Sequence, residues 1–396
     1  MQFFSAQSTA GTAIEGLADI ATQFTNTGYG RPDFMALHFG VDLDATTLQS
    51  EAKSLIGAGA FHGGSSCLGI MGASGVDISG AGLGAFAIWD AEGDYGTCSA
   101  DLGDDAEKVA HDTIAAALDR AGRPGEIPEM VWLTVAPGRE EQVIAGLRSV
   151  VGEETLIVGG SSADNDASGA WAQLGPETVH TDGVVVSVLF PSCPVTSVYQ
   201  SGFAPTGASG IVTRVEGRRV FEIDNRPAAD VLHEWTGGAV PQANGELRSI
   251  LAETTFWPLG RETWEVGGVP FHILAHPTTA NPDGAIDLLA TVYKDSRIWQ
   301  MHGSADNLVA RAGRVAEQAK QNFGANVAGA LVVYCCGCMM AVRDRMDEVS
   351  AGVKAELGDS PWLGVFTFGE QGVPTGGKLH HGNLMISCTV FSNEHG

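Results

Sequence analysis

Gly63-Gly64-Ser65-Ser66 returns as Gly159-Gly160-Ser161-Ser162, 96 residues further on, and these two turns decide how the chain is read. At the same offset Pro32-Asp33-Phe34-Met35-Ala36-Leu37-His38-Phe39-Gly40 is matched by Pro128-Glu129-Met130-Val131-Trp132-Leu133-Thr134-Val135-Ala136. Two anchors at one offset mark an internal repeat. Each copy runs in the same order: apolar strand, helix, glycine-serine turn, apolar strand. Helices are predicted over 48–56 and 140–151, where apolar residues recur at the spacing of one buried helix face. The closing strands are predicted over 83–89 and 184–190.

A looser third copy closes the chain. Its strand is predicted over 330–335, its helix over 339–357 and its last strand over 384–390. Trp362-Leu363-Gly364-Val365-Phe366-Thr367-Phe368-Gly369-Glu370 takes the place of the serine turn. Between the second and third copies lies a different region, about 195–323, with a hairpin over 211–215 and 218–224. A helix starts there at Pro227, strands follow over 271–274 and 288–292, and a helix over 304–321 feeds the third copy. The expected fold class is α/β (α+β): repeat-built βαβ units with three pseudo-equivalent glycine turns and an inserted mixed α+β region. The copies fall at about 31–90, 127–190 and 330–391, in two domains of 1–194 and 195–396.

Composition narrows the function. Acidic residues number 47 against 22 basic ones, a formal charge of -25, so the field repels nucleic acid and anionic membranes. Hydrophobic residues make up 44%, enough for a sizeable core, and no apolar run is long enough to cross a bilayer. Met1-Gln2-Phe3-Phe4-Ser5-Ala6 has no basic residue ahead of an apolar run, so no export signal is expected. The seven scattered cysteines then read as free thiols in a reducing cytoplasm.

Several residues can carry chemistry. Gly64, Ser65, Ser66, Gly160, Ser161 and Ser162 offer N–H groups and hydroxyls that could receive a carboxylate, or that simply hold tight turns. Asp164 and Glu370 are read as equivalent ends of two turns, able to hold an ammonium or to act as acid and base. A zwitterion therefore suits the expected pocket better than a polyphosphate. Ser65, Ser161 and Glu370 are expected around one cavity. Cys335, Cys336 and Cys338 crowd one strand end, whereas a zinc site usually joins separated pairs, so no metal is expected. Small buried apolar side chains are the plainer reading of that cluster. Cys67 follows the first turn. Lys53 is the closest lysine before Ser65, across the predicted helix, which argues against a serine–lysine nucleophile. Gly80-Ala81-Gly82-Leu83-Gly84 precedes a strand, not a helix, and is no dinucleotide fingerprint. Among eleven histidines, His38, His62, His380 and His381 lie near strands or turns, and no Cys-x-x-Cys-His is present for c-type haem.

Four motifs resemble the FIST N and FIST C domains. They are Gly64-Ser65-Ser66-Cys67-Leu68-Gly69, Val158-Gly159-Gly160-Ser161-Ser162-Ala163-Asp164, Thr213-Arg214 with Asp224-Asn225-Arg226-Pro227-Ala228, and Val333-Tyr334-Cys335-Cys336-Gly337 with Phe366-Thr367-Phe368-Gly369-Glu370. Cys338 departs from the pattern, since the family often has arginine after that glycine. The resemblance singles out Cys335 and implies a cytoplasmic sensory module that binds a small polar, amino-acid-like ligand. It implies a separate signalling partner such as a histidine kinase, a chemoreceptor or a cyclic-dinucleotide enzyme. A second reading is a b-type haem sensor of nitric oxide, as in some family members. A third is a small-molecule hydrolase or lyase using Cys335 or Glu370.

Overall fold

Three parallel strand pairs form the centre of the molecule: Phe34–Phe39 with Ala60–Ser65, Met130–Val135 with Ile157–Ser161, and Val327–Cys335 with Trp362–Thr367. The computed structural model describes residues 1–266, 269–324, 326–374 and 376–392. Parallel strands need a crossover. Helices Ala45–Leu55, Glu140–Val151 and Met346–Leu357 lie in the three crossovers. An antiparallel strand flanks the first strand of each pair: Leu83–Trp89, Gly183–Phe190 and Met385–Ser392. Outside these run Gln2–Ser8, Asp94–Asp101 and Val195–Ser201.

The remaining edge of each sheet is closed from elsewhere in the chain. Gln173–Leu174 and Val179–His180 complete the first sheet. Glu370–Gly372 and His380–Gly382 complete the second. Ile70–Gly72 and Gly75–Asp77 complete the third. Each segment thus gives its hairpin to a neighbour's sheet, and three six-stranded sheets interlock. An unpaired edge would leave N–H and C=O groups without partners, and the exchange satisfies them.

Both faces of the central strands are apolar because both are covered. Phe34 and Ala36 join Met130, Trp132, Leu331 and Val333 in a core shared by the three sheets. Met35 and Leu37 pack outward with Leu17, Ile20 and Leu48 of the covering helices. Local signals set the helix ends. Thr12, Asp44, Asp105 and Ser304 each cap a helix by accepting from a backbone N–H three residues on. Gly28 and Gly324 end two helices in the left-handed region.

Residues 204–302 form a separate nine-stranded sheet with helix Ala228–Trp235 and its own core. The expected insertion at 195–323 is therefore too wide. Val195–Ser201 pairs with Met385–Ser392, and helix Ala305–Phe323 packs on the third sheet. The outer strands and the helices Ala13–Thr27 and Ala106–Arg120 were not anticipated, because the matching stretches of the copies begin later. The helix expected over 339–357 is broken into Cys336–Ala341 and Met346–Leu357, with a tighter turn at Arg343–Arg345. The strand expected over 288–292 ends at Leu288 and turns away.

Glycine at the strand ends is a packing requirement. A Cβ on Gly64 would stand 2.6 Å from the Thr134 methyl, and one on Gly160 would overlap the Thr367 side chain. We expect Gly160→Ala to lose about 1–3 kcal/mol of stability by overpacking this junction. Urea unfolding measures it. A change within error would show that the junction yields freely.

Candidate functional site

The three turns meet, but they are sealed. Ser65, Ser66, Ser161, Ser162, Asp164, Cys335 and Glu370 are all buried. The Ser65 hydroxyl accepts from Ala172 N–H at 2.9 Å, and its carbonyl accepts from Ala163 N–H at 3.2 Å. The Ser66 hydroxyl donates to the Gly69 carbonyl and accepts from Phe366 N–H at 2.8 Å. Cys67 N–H donates to the Phe366 carbonyl at 3.0 Å. Asp164 accepts from the N–H groups of Ala167, Gly169 and Ala170 at 2.6–2.8 Å, so its oxygens hold its own loop. Gly64 lies opposite Gln173 and Gly160 opposite Glu370, so the counterpart of Glu370 is Gln173 rather than Asp164.

Glu370 faces Cys335. Its oxygens accept from the Thr367 hydroxyl at 2.8 Å and Met385 N–H at 3.0 Å. Burial, with the Cys335 sulfur beside it, pushes this carboxyl well above the usual range. The shift favours the uncharged acid over the carboxylate expected to hold an ammonium ligand. Burial also opposes the Cys335 thiolate. Hydrogen bonds to its sulfur from the Cys338 thiol and from the N–H groups of Cys338, Leu384 and Gly337 outweigh it and lower this thiol.

Ser161 opens a second network. Its hydroxyl donates to Glu140 at 2.8 Å, and Gln371 lies 3.4 Å from it and 3.2 Å from the His381 ring. Arg218 donates to both Glu140 and Glu141 at 2.6 Å. Glu141 also accepts from Thr291 N–H at 2.8 Å. Burial works against both acids, but the field of His381 and the Arg218 guanidinium holds them down, Glu141 to about 2.

A surface pocket of about 590 Å³ adjoins this network, lined by Arg261, Glu262, Thr263, Tyr293, Ser296, Arg297 and His380. Arg261 is 9% exposed. It donates to the His381 carbonyl at 3.3 Å and lies over the Tyr293 ring, and its Nε has no partner. The adjoining acids are already paired with Arg218. Burial lowers its guanidinium, and the fields of Tyr293, Glu141 and Tyr199 do not make up for it. Of the residues named from the sequence, His380 lines this pocket, and none lines a second one of about 560 Å³ that includes Trp235, Trp257 and His302. Arg261, Arg297 and Glu262 were missed. A lone arginine following Leu259 and Gly260 in a strand was the available signal.

A b-type haem needs an imidazole nitrogen open to an apolar cavity. His38 Nε2 is unpartnered, but the ring is buried beside Trp132 and His62. Both nitrogens of His62 are taken by Ser187 and Thr134. His302 lines the second pocket with its ring packed on Trp257, centroids 4.1 Å apart. These side chains do not fit a haem. Among the described residues no group of His, Cys, Asp and Glu suits a metal ion, all seven cysteines are unbridged, and no helix is long and apolar enough to cross a membrane.

Family models describe two parts of the chain: the FIST N domain over 33–226 and the FIST C domain over 228–373. No curated protein matches it. Among solved structures, a cyanuric acid hydrolase from A. caulinodans is similar over 99% of both chains at 11% identity, with a TM-score of 0.34, too distant to bear on this chain.

The Glu141 carboxyl titrates near 2 in the folded chain, below its ordinary 4.5. Its contribution to stability is therefore complete above about pH 4.5 and is lost as pH falls towards 2. Glu141→Gln should flatten this acid limb in urea midpoints taken across the range. Parallel limbs for the two proteins would remove Glu141 from the acid response.

Proposed function

The chain belongs to the FIST family, and on that premise we propose that it is a small-ligand sensor whose ligand is an amino-acid-like zwitterion held in the Arg261 pocket. The carrying observation is the buried Arg261, which lines the pocket and whose Nε has no hydrogen-bond partner. A buried cation without a counter-charge is costly, and a ligand carboxylate supplies one. Arg297 adds a second positive group at the pocket and Glu262 a negative one. A carboxylate between the arginines and an ammonium at Glu262 satisfy all three. A polyphosphate would meet Glu262 and the acidic field of the whole chain.

The same arginine links the pocket to the interior. Arg261 donates to the His381 carbonyl, and the His381 ring meets Gln371, which meets Ser161 and so Glu140. Glu140 and Arg218 lie in different parts of the chain, one between the second pair of strands and one at the insertion. A ligand that neutralises Arg261 changes the field on this network. The output passes to a separate cytoplasmic partner, of the kind a histidine kinase, a chemoreceptor or a cyclic-dinucleotide enzyme represents.

A panel of amino acids, related zwitterions and nucleotides, screened by melting temperature, should pick out zwitterions. Calorimetry on Arg261→Met should then show affinity weakened by about 1.5–3 kcal/mol, the size of a charge-assisted hydrogen bond. Unchanged affinity would move the ligand elsewhere. Tight nucleotide binding with no zwitterion hit would overturn the ligand class.

A further inference from the structure

Four buried cysteines gather where the third sheet meets the first turn: Cys67, Cys335, Cys336 and Cys338. They form two hydrogen-bonded pairs, Cys335 with Cys338 and Cys336 with Cys67. The first pair is the more reactive arrangement. Cys335 ends strand Val327–Cys335 and stands as the residue before helix Cys336–Ala341, so Cys338 follows it by one helical turn. Cys335 is the N-cap with extended backbone (φ -61°, ψ 132°), which sets its side chain beside the first helical turn that carries Cys338. The Cys335 sulfur folds back over this turn, 3.7 Å from where a Cβ on Gly337 would lie. The backbone N–H groups of Gly337, Cys338 and Leu384 are near enough to favour its thiolate, and the Glu370 carboxyl lies beside it.

We propose that Cys335 and Cys338 form a peroxide-reactive dithiol, with Cys335 the attacking sulfur, Cys338 the resolving one and Glu370 the proton carrier. The two thiols are poised in opposite directions, Cys335 lowered by the hydrogen bonds to its sulfur and Cys338 raised by burial and by Cys335 itself. Attack needs a thiolate, and resolution needs a neighbour that stays protonated until its turn. Burial selects the oxidant: a small neutral hydroperoxide can reach sulfurs that a protein disulfide cannot.

The steps balance. The Cys335 thiolate attacks the terminal peroxide oxygen. A sulfur–oxygen bond forms, the oxygen–oxygen bond breaks, and the departing alkoxide or hydroxide takes the Glu370 proton. Cys335 is now a sulfenic acid and Glu370 a carboxylate. Cys338 then attacks the Cys335 sulfur. The sulfur–sulfur bond forms, the sulfur–oxygen bond breaks, and Glu370 passes the Cys338 proton to the leaving hydroxide as water. Two sulfurs are each oxidised by one electron and the peroxide is reduced by two. The negative charge that sat on Cys335 ends on Glu370, where the Thr367 hydroxyl and Met385 N–H already donate. This chemistry is independent of the Arg261 pocket.

The test is hydrogen peroxide titration of the native full-length protein, followed by alkylation and peptide mass spectrometry. The Cys335–Cys338 peptide should lose two hydrogens, resist alkylation and regain both on treatment with dithiothreitol. The proposal requires it to react about ten times faster than Cys98, the more exposed thiol, its thiolate character outweighing its burial. Cys338→Ser should stop at a Cys335 sulfenic acid that dimedone traps, and Glu370→Gln should slow the wild-type reaction. Alkylation of both thiols after peroxide, or oxidation of Cys98 first, would overturn the proposal. The wild-type readout decides it even if a variant does not fold.

Discussion

Each sheet of this protein is finished by a hairpin that belongs to another part of the chain. The second strand of each parallel pair has an open edge, and the hairpins Ile70–Asp77, 173–180 and 370–382 cover the edges in cyclic order. Backbone groups at such an edge must find partners, and here the partners come from a neighbour. No segment can complete its own sheet. The glycines at the strand ends follow from this, since Gly64 and Gly160 are where one segment presses on the next.

The interlocking places function off the axis. The space where three turns meet is filled by interdigitated backbone, and its serines and Asp164 are used in holding it. What remains are two features near it. One is the network of Ser161, Glu140, Arg218 and Glu141, whose charges balance within the protein. The other is Arg261, whose charge does not. Buried charges are tolerated when paired, so an unpaired one beside a pocket is the informative exception.

Cys335 and Glu370 show how one burial acts in opposite ways. The carboxyl finds few donors and is pushed towards its neutral form, and the sulfur finds several and tends towards the thiolate. Hydrogen bonds rather than intrinsic acidity decide which of the two more readily carries a negative charge.

The apolar strands around Phe34, Met130 and Leu331 and the helix Glu140–Val151 were legible from periodicity, because burial on both faces or on one stripe is written directly into residue order. Gly63-Gly64 and Gly159-Gly160 read as turns in the sequence, but they end the strands Ala60–Ser65 and Ile157–Ser161, because pairing with a distant parallel strand is not written in local residue order. The outer strand Gln2–Ser8 was not legible either, since its mixed polar pattern becomes a strand only by pairing with Leu83–Trp89. Nor was the partner of Glu370, because a register across a sheet is a relation between segments far apart in sequence. The residue types at Cys335, Cys338, Glu370 and Arg261 are properties of the sequence alone. Their charge states are not, for a pKa depends on which donors, acids and solvent the folded chain brings to each group, and only the tertiary structure makes that choice.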